Sequence, residues 1–184
     1  MNKADLENDY LLNEQRIIWL AEDVEAAVME RIAAQMWYLR EKSEELPIRI
    51  YFRSNGGDSM TGLALANVIK HIGRITGVMV GDTGSSAATI WASCAKRMVC
   101  ANARMGIHPV MWQENYSKYD AAKLMRLQGE FTKMDERQCE IYAAASDMDF
   151  GWWWERYNQP GDMKWIDADE LILIGMAKKA EDCK

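Results

Sequence analysis

The sequence predicts an α/β fold organised on a parallel sheet, and three observations predict it. Ile48, Ile50 and Phe52 alternate with Arg49, Tyr51 and Arg53 and run into the turn Ser54-Asn55-Gly56-Gly57-Asp58. Ile75 to Val80 runs in the same way into Gly81-Asp82-Thr83-Gly84-Ser85-Ser86. Each of these segments is followed by a stretch with helical spacing. Strand, glycine turn and helix thus occur twice in succession, which implies parallel strands joined by crossover helices. In such sheets reactive groups gather at the carboxyl ends of the strands, where both glycine turns fall.

The remaining elements follow in order. Ile17 to Leu20 reads as a short buried strand. A long helix opens around Asp23, Val24, Glu25 and Ala26, carries Val28, Ile32, Met36 and Leu39 on one face, and ends before Pro47. Leu63 to Lys70 is helical after the first glycine turn, and Ala87 to Ala95 after the second. Arg97 to Cys100 and Arg104 to Ile107 read as short strands. From Asp120 to Ser146, Leu124, Leu127, Phe131, Met134, Ile141 and Tyr142 recur among charged residues, the pattern of a long amphipathic helix with Asp120 as its N-cap. No internal repeat breaks the chain, so residues 1–184 read as a single domain large enough to bury a core.

Composition excludes several classes. A net charge of −6 without a basic patch argues against a nucleic-acid surface, because phosphate binding needs clustered Lys and Arg. No apolar run approaches the roughly 18 residues of a membrane span, and the first nine residues lack a basic segment followed by an apolar one. A soluble, cytoplasmic chain is therefore expected. Cys94, Cys100, Cys139 and Cys183 contain no CxxC pair and lie far in sequence from both histidines, so reduced thiols are expected, with no metal and no cofactor. The eight tryptophans read as core and interface anchors.

The chemistry concentrates on Ser85. Serine is a weak nucleophile until a base takes its proton, and a tetrahedral oxyanion needs N–H donors, which glycine turns expose. Serine is also favoured at the N-terminus of a helix, where the helix dipole would help to hold an anion. His108, in Ile107-His108-Pro109, is the candidate base, with the following proline forcing an extended backbone. The other histidine, His71, needs no role beyond a cation at a helix C-terminus. Gly56 and Gly57 are candidate oxyanion donors and a candidate edge for an extended peptide, although Asn-Gly-Gly-Asp is also an ordinary turn signal. Gly84-Ser85-Ser86-Ala87 is not the G-x-S-x-G elbow of the α/β-hydrolases.

From about Tyr10 onward the chain resembles the ClpP-like serine protease subunits of the ClpP/crotonase-like superfamily. Leu11-Leu12-Asn13-Glu14-Gln15-Arg16-Ile17-Ile18-Trp19-Leu20 is similar to that family's opening strand and Ala34-Gln35-Met36-Trp37-Tyr38-Leu39 to its first helix. The glycine turn, the serine segment and the Ile-His-Pro segment follow in family order. The resemblance implies repeated strand-turn-helix units and a handle helix at about 120–146 that interdigitates between two stacked heptameric rings. It implies a serine endopeptidase acting on peptides or unfolded proteins inside a chamber, with Ser85 as nucleophile, His108 as base, and Gly57 and Ser86 as N–H donors. It also implies an ATP-dependent unfoldase partner, an expectation weakened because the opening strand segment lies close to the start of the chain.

ClpP-like proteins carry the orienting aspartate two residues before an aromatic, and Trp165-Ile166-Asp167-Ala168 is similar to that segment. Counting back reaches Met163, so Asp162, one residue further, is the expected acid, with Asp167 as second candidate. Asn55 replaces the proline that usually precedes the two glycines, and Val110-Met111-Trp112 replaces a pair of glycines after the histidine. These departures leave two other readings open: a catalytically impaired ring subunit with a structural or assembly role, and a crotonase-type acyl-CoA enzyme.

Overall fold

The computed structural model describes residues 10–111 and 119–181; Trp112 and Cys183 fall outside them. The strands among the described residues are β1 (Ile17–Leu20), β2 (Ile48–Phe52), β3 (Ile75–Met79), β4 (Thr83–Gly84), β5 (Lys96–Val99), β6 (Arg104–Ile107), β7 (Lys164–Asp167) and β8 (Lys178–Lys179). The helices used below are α1 (Ala26–Lys42), α2 (Ser59–Ile72), α3 (Ser85–Ala92), α4 (Ala121–Ala144), α5 (Phe150–Tyr157) and α6 (Ala168–Leu173).

The main sheet runs β1-β2-β3-β5-β8 with every pair parallel. The alternation of β2 buries Ile48, Ile50 and Phe52, and the apolar run of β3 buries Ile75, Val78 and Met79. Asp58 caps α2 by accepting the Thr61 N–H at 2.7 Å, so the chain leaves the first glycine turn directly as a helix. On β3, a Cβ at Gly77 would lie 2.9 Å from both Trp91 Cδ1 and Cys94 Sγ. The bare backbone there lets α3 lie on the strand, and the fully buried Trp91 donates its indole N–H to the Gly77 carbonyl at 3.3 Å.

A second, three-stranded sheet was not legible in the hydrophobic pattern. Its order is β4-β6-β7, with β4 parallel and β7 antiparallel to β6. β4 has only two residues, and β7 follows α5, a Trp-rich helix to which the sequence reading assigned no element. The expected Ala87–Ala95 helix instead begins at Ser85, because the chain turns immediately after Gly84. A further correction concerns sulfur: Cys100 is disulfide-bonded, whereas Cys94 and Cys139 carry free thiols. Burial of those two raises their pKa to about 12. Disulfide connectivity cannot be deduced from cysteine spacing alone.

Asp120 caps α4, as its position predicts, through the Lys123 N–H at 2.7 Å. The buried face of α4 differs from the expected stripe. Leu124, Leu127, Phe131 and Met134 are only half-buried, and the buried positions are Asp135, Gln138, Cys139 and Tyr142. Their spacing is helical, but three of the four carry strong hydrogen-bonding groups. Thr89 on α3 answers them: its Oγ1 lies 2.8 Å from Gln138 Oε1 and 2.8 Å from the Tyr142 hydroxyl. Replacing Thr89 with valine keeps the shape and leaves both partners buried and unpaired. Thr89→Val is expected to cost about 2–3 kcal/mol of folding free energy, measured as a shift in the urea midpoint at unchanged m-value.

Candidate active site

Two glycine-containing turns are brought face to face. The Gly84 N–H donates to the Ser54 carbonyl at 2.9 Å, which ties β4 to the end of β2. Ser54, 5% exposed, donates its hydroxyl to the Glu22 carbonyl at 2.6 Å and accepts the Gly56 N–H at 3.2 Å. The turn is thereby braced from within. Gly56 has φ +100°, and a Cβ there would lie 2.5 Å from Ser85 Cβ, 2.7 Å from the Gly84 oxygen and 3.0 Å from the Ser86 nitrogen. Gly56 therefore closes on the serine segment at a distance that no side chain permits.

Gly57 has a different neighbour. It forms a parallel bridge to Val24, in which the Val24 N–H donates to the Gly56 carbonyl at 2.8 Å and the Asp58 N–H to the Val24 carbonyl at 2.9 Å. This pairing uses the groups on either side of Gly57. In an extended segment, successive residues point their N–H and C=O to opposite edges, so those of Gly57 turn away from Val24.

Ser85 follows β4 as the first residue of α3 and takes φ +54°, a left-handed conformation that costs a non-glycine residue about 1–3 kcal/mol. It is half-buried, whereas Ser86 is 1% exposed and its hydroxyl has no hydrogen-bond partner. Ser86 can thus offer its backbone N–H but has its side chain turned into the packing against α2, where a Cβ at Gly62 would lie 2.6 Å from Ser86 Cβ.

The parallel register Thr83↔Met105 and Gly84↔Gly106 carries Ser85 and His108 to the same end of the β4–β6 pair. His108 is half-buried and its Nδ1 lies 2.7 Å from the Pro109 carbonyl oxygen. A carbonyl only accepts, so the ring proton sits on Nδ1 and the Nε2 lone pair is left to take a proton. Arg104, at the far end of β6, forks onto Asp82, the residue before β4, at 3.0 and 2.5 Å and lies 4.7 Å from the Trp165 ring centroid on β7. That bond holds the Asp82 carboxyl below its usual range.

The bond at His108 Nδ1 goes to neither expected acid. Asp162 is exposed in the loop before β7, and the bond at His108 Nδ1 goes to a carbonyl. Asp167 pairs with Arg104, at the opposite end of β6 from His108, and caps α6 by accepting the Glu170 N–H at 2.8 Å. Continuing the β6–β7 register beyond Ile107↔Lys164 brings Met163 opposite His108. The Met163 thioether fills the space over Gly84 and Gly106.

Sequence reading missed Asp135. It is 8% exposed, accepts the Val110 N–H at 2.8 Å, and lies close enough to His108 to be stabilised as an anion by an imidazolium. Its pKa is raised by burial, an effect opposed by Val110, by Tyr157 and by His108. The Tyr157 hydroxyl nonetheless has no hydrogen bond of normal geometry. A signal was present: an acid in helical register with the buried Gln138, Cys139 and Tyr142 is unlike a solvated charge.

A serine in a left-handed turn at a helix start, beneath a glycine turn and beside a strand followed directly by a histidine, defines a candidate acyl-transfer site on an α/β fold. The family described as Clp protease matches residues 3–179, and the chain belongs to it, with the α/β fold of that family. Over 100 residues the chain is 31% identical to an ATP-dependent Clp protease proteolytic subunit 2 from Prochlorococcus marinus (strain MIT 9312), a stretch covering 53% of this chain and 49% of that one. It is 30% identical over 100 residues to an ATP-dependent Clp protease proteolytic subunit 3 from Synechococcus sp. (strain CC9605), covering 53% and 50%. The matches span about half the length of these curated relatives. Among the described residues, no helix is long and apolar enough to cross a membrane.

Gly56→Ala combines backbone strain with a clash against the Ser85 Cβ, the Gly84 carbonyl and the Ser86 nitrogen. It is expected to lower stability by about 2 kcal/mol or more in urea denaturation and to slow any reaction of Ser85 with a serine-directed phosphonate.

Proposed function

We propose that this chain is a ClpP-type serine endopeptidase that hydrolyses peptides or unfolded proteins through an acyl-enzyme on Ser85. The observation that carries the reading is the left-handed Ser85 at the start of α3 with Gly56 closed upon it. Ser85 Oγ attacks the scissile carbonyl while His108 Nε2 takes its proton. The oxyanion is held by the N–H groups of Gly57 and Ser86, aided by the N-terminus of α3. His108 then gives the proton to the leaving amine, and water repeats the sequence to release the acyl group. The free edge of Gly57 suits an extended substrate that adds as a strand.

Membership of the Clp protease family supports assembly into stacked rings, proposed as heptameric, with active sites inside and a Clp ATPase as partner. The relatives' names, which describe proteolytic subunits of an ATP-dependent protease, support the same partner. The half-buried Leu124, Leu127 and Phe131 on α4 suit a contact between rings. A second reading, a catalytically impaired subunit with an assembly role, is favoured by the exposed Asp162 and by Met163 opposite His108.

A serine-directed phosphonate separates the two. Ser85→Ala is expected to abolish labelling and to lower peptide turnover by about 10⁶, as where a triad acts as a unit. Ser86→Ala should keep most activity and fold at least as stably, because it deletes an unpaired buried hydroxyl. An unmutated chain that takes no label at Ser85 would support the assembly role instead. Phe131→Glu is expected to shift the assembled particle to smaller species in light scattering, since burying a carboxylate between subunits costs several kcal/mol, roughly.

A further inference from the structure

The bond made by the His108 ring leads to the handle helix. Its Nδ1 meets the Pro109 carbonyl oxygen at 2.7 Å, and the Val110 N–H donates to Asp135 Oδ1 at 2.8 Å. The Pro109 carbonyl and the Val110 N–H belong to one planar peptide unit. A single rigid group therefore has the imidazole on one end and a buried carboxyl on the other.

We propose that Asp135 is a positioning residue that acts on His108 through the Pro109–Val110 peptide, in the place where a triad acid would touch the ring directly. The inference rests on the reading of Ser85 and His108 as nucleophile and base. Nitrogen and carbonyl are conjugated in a peptide, so an anion accepting from the N–H raises electron density on the carbonyl oxygen and strengthens the bond that oxygen accepts. The carbonyl fixes the Nδ1–H tautomer, and the carboxylate behind it holds the peptide plane and steadies the imidazolium once Nε2 is protonated. One proton moves, from Ser85 Oγ to His108 Nε2; the peptide and Asp135 exchange none.

Two further observations point the same way. Continued one step past both strands, the β6–β7 register sets Met163 opposite His108, and the thioether of Met163, which lies over Gly84 and Gly106, cannot do an acid's work. Asp135 itself lies in a buried stripe with Cys139 and Tyr142, where its ionised form is opposed by desolvation and favoured by Val110, Tyr157 and an imidazolium at His108. Packing alone would be met by an apolar side chain there.

The test uses the assembled full chain, a fluorogenic peptide and a serine-directed phosphonate. Asp135→Asn keeps an oxygen for the Val110 N–H but no charge, and it is expected to lower kcat about tenfold with KM within about twofold. The fraction of Ser85 that finally takes label should stay full, with the labelling rate reduced. Val110→Pro removes the N–H from the other side and should give a similar loss, and the double variant should be no slower than the slower single one, because both cut the same link. Unchanged turnover in Asp135→Asn and Val110→Pro, additive losses, or a labelled fraction that falls in step with the rate would each overturn the inference. So would a loss of about 10⁴ in Asp162→Asn beside a fast Asp135→Asn, which returns the role to the loop carboxylate. An unmutated chain that takes no label overturns the peptidase reading beneath it, and a labelled unmutated chain with a fast Asp135→Asn overturns this inference alone.

Discussion

Everything around the candidate site depends on one close approach, that of the Gly56 backbone to Ser85. The space where a Cβ would stand is occupied by the Ser85 Cβ, the Gly84 carbonyl and the Ser86 nitrogen. Such a contact requires glycine on one side and a sharply turned chain on the other, and Ser85 supplies the turn at φ +54°. The strain is sustained by bonds on every side: Gly84 N–H to Ser54, Gly56 N–H to the Ser54 hydroxyl, and Val24 to Gly56 and Asp58. Removing any of these loosens the serine before it touches the chemistry.

A second layer holds the two helices that back the site. Thr89 lies one turn beyond Ser85 on α3 and is bonded to Gln138 and Tyr142 of α4, while Tyr142 packs against Trp153 and Tyr157 of α5 at ring-centroid distances of 5.1 and 6.3 Å. Buried hydrogen bonds of this kind fix one relative placement of helices, since any slip leaves polar atoms unpaired in a medium without water. Oily contacts alone would tolerate several placements. The helix that carries the serine and the helix that carries Asp135 are thus set in one register.

Most of the fold was legible because its strands and helices declare themselves by period. β1 and β6 begin and end where alternation and burial predict, and Asp58 and Asp120 stand at helix starts, with Asp120 the cap expected from sequence. What escaped is short. β4 has two residues, β8 has two, and α5 has eight, about two turns, with Trp153 and Tyr157 as its buried pair. The buried stripe of α4 was misplaced because Asp135 and Gln138 do not look apolar; they are buried by virtue of partners on other elements, and partners are invisible along one chain. For the same reason the candidates Ser85, His108 and the glycines were marked by local turns and by family resemblance, whereas Asp135 beside His108 carried neither mark.

On the proposed reading, Asp135 shows how a site can keep its electrostatics with its acid in a different place. A carboxylate beside an imidazole does two things: it fixes the tautomer and it favours the cation. Here the first is met by the Pro109 carbonyl, which accepts from Nδ1 and cannot donate, and so needs no charge. Only the second calls for an anion, and an anion can act at one remove if a conjugated, planar group lies between. The proline fixes φ at that group and α4 holds its N–H, so the relay has little freedom to relax. Asp135 is one helical turn from Phe131, which lies on the half of α4 that this chain leaves largely uncovered. On the proposed reading, the element that meets the opposite ring is therefore the same rigid rod that orients the base, and the backbone of a single peptide separates the contact between subunits from the chemistry.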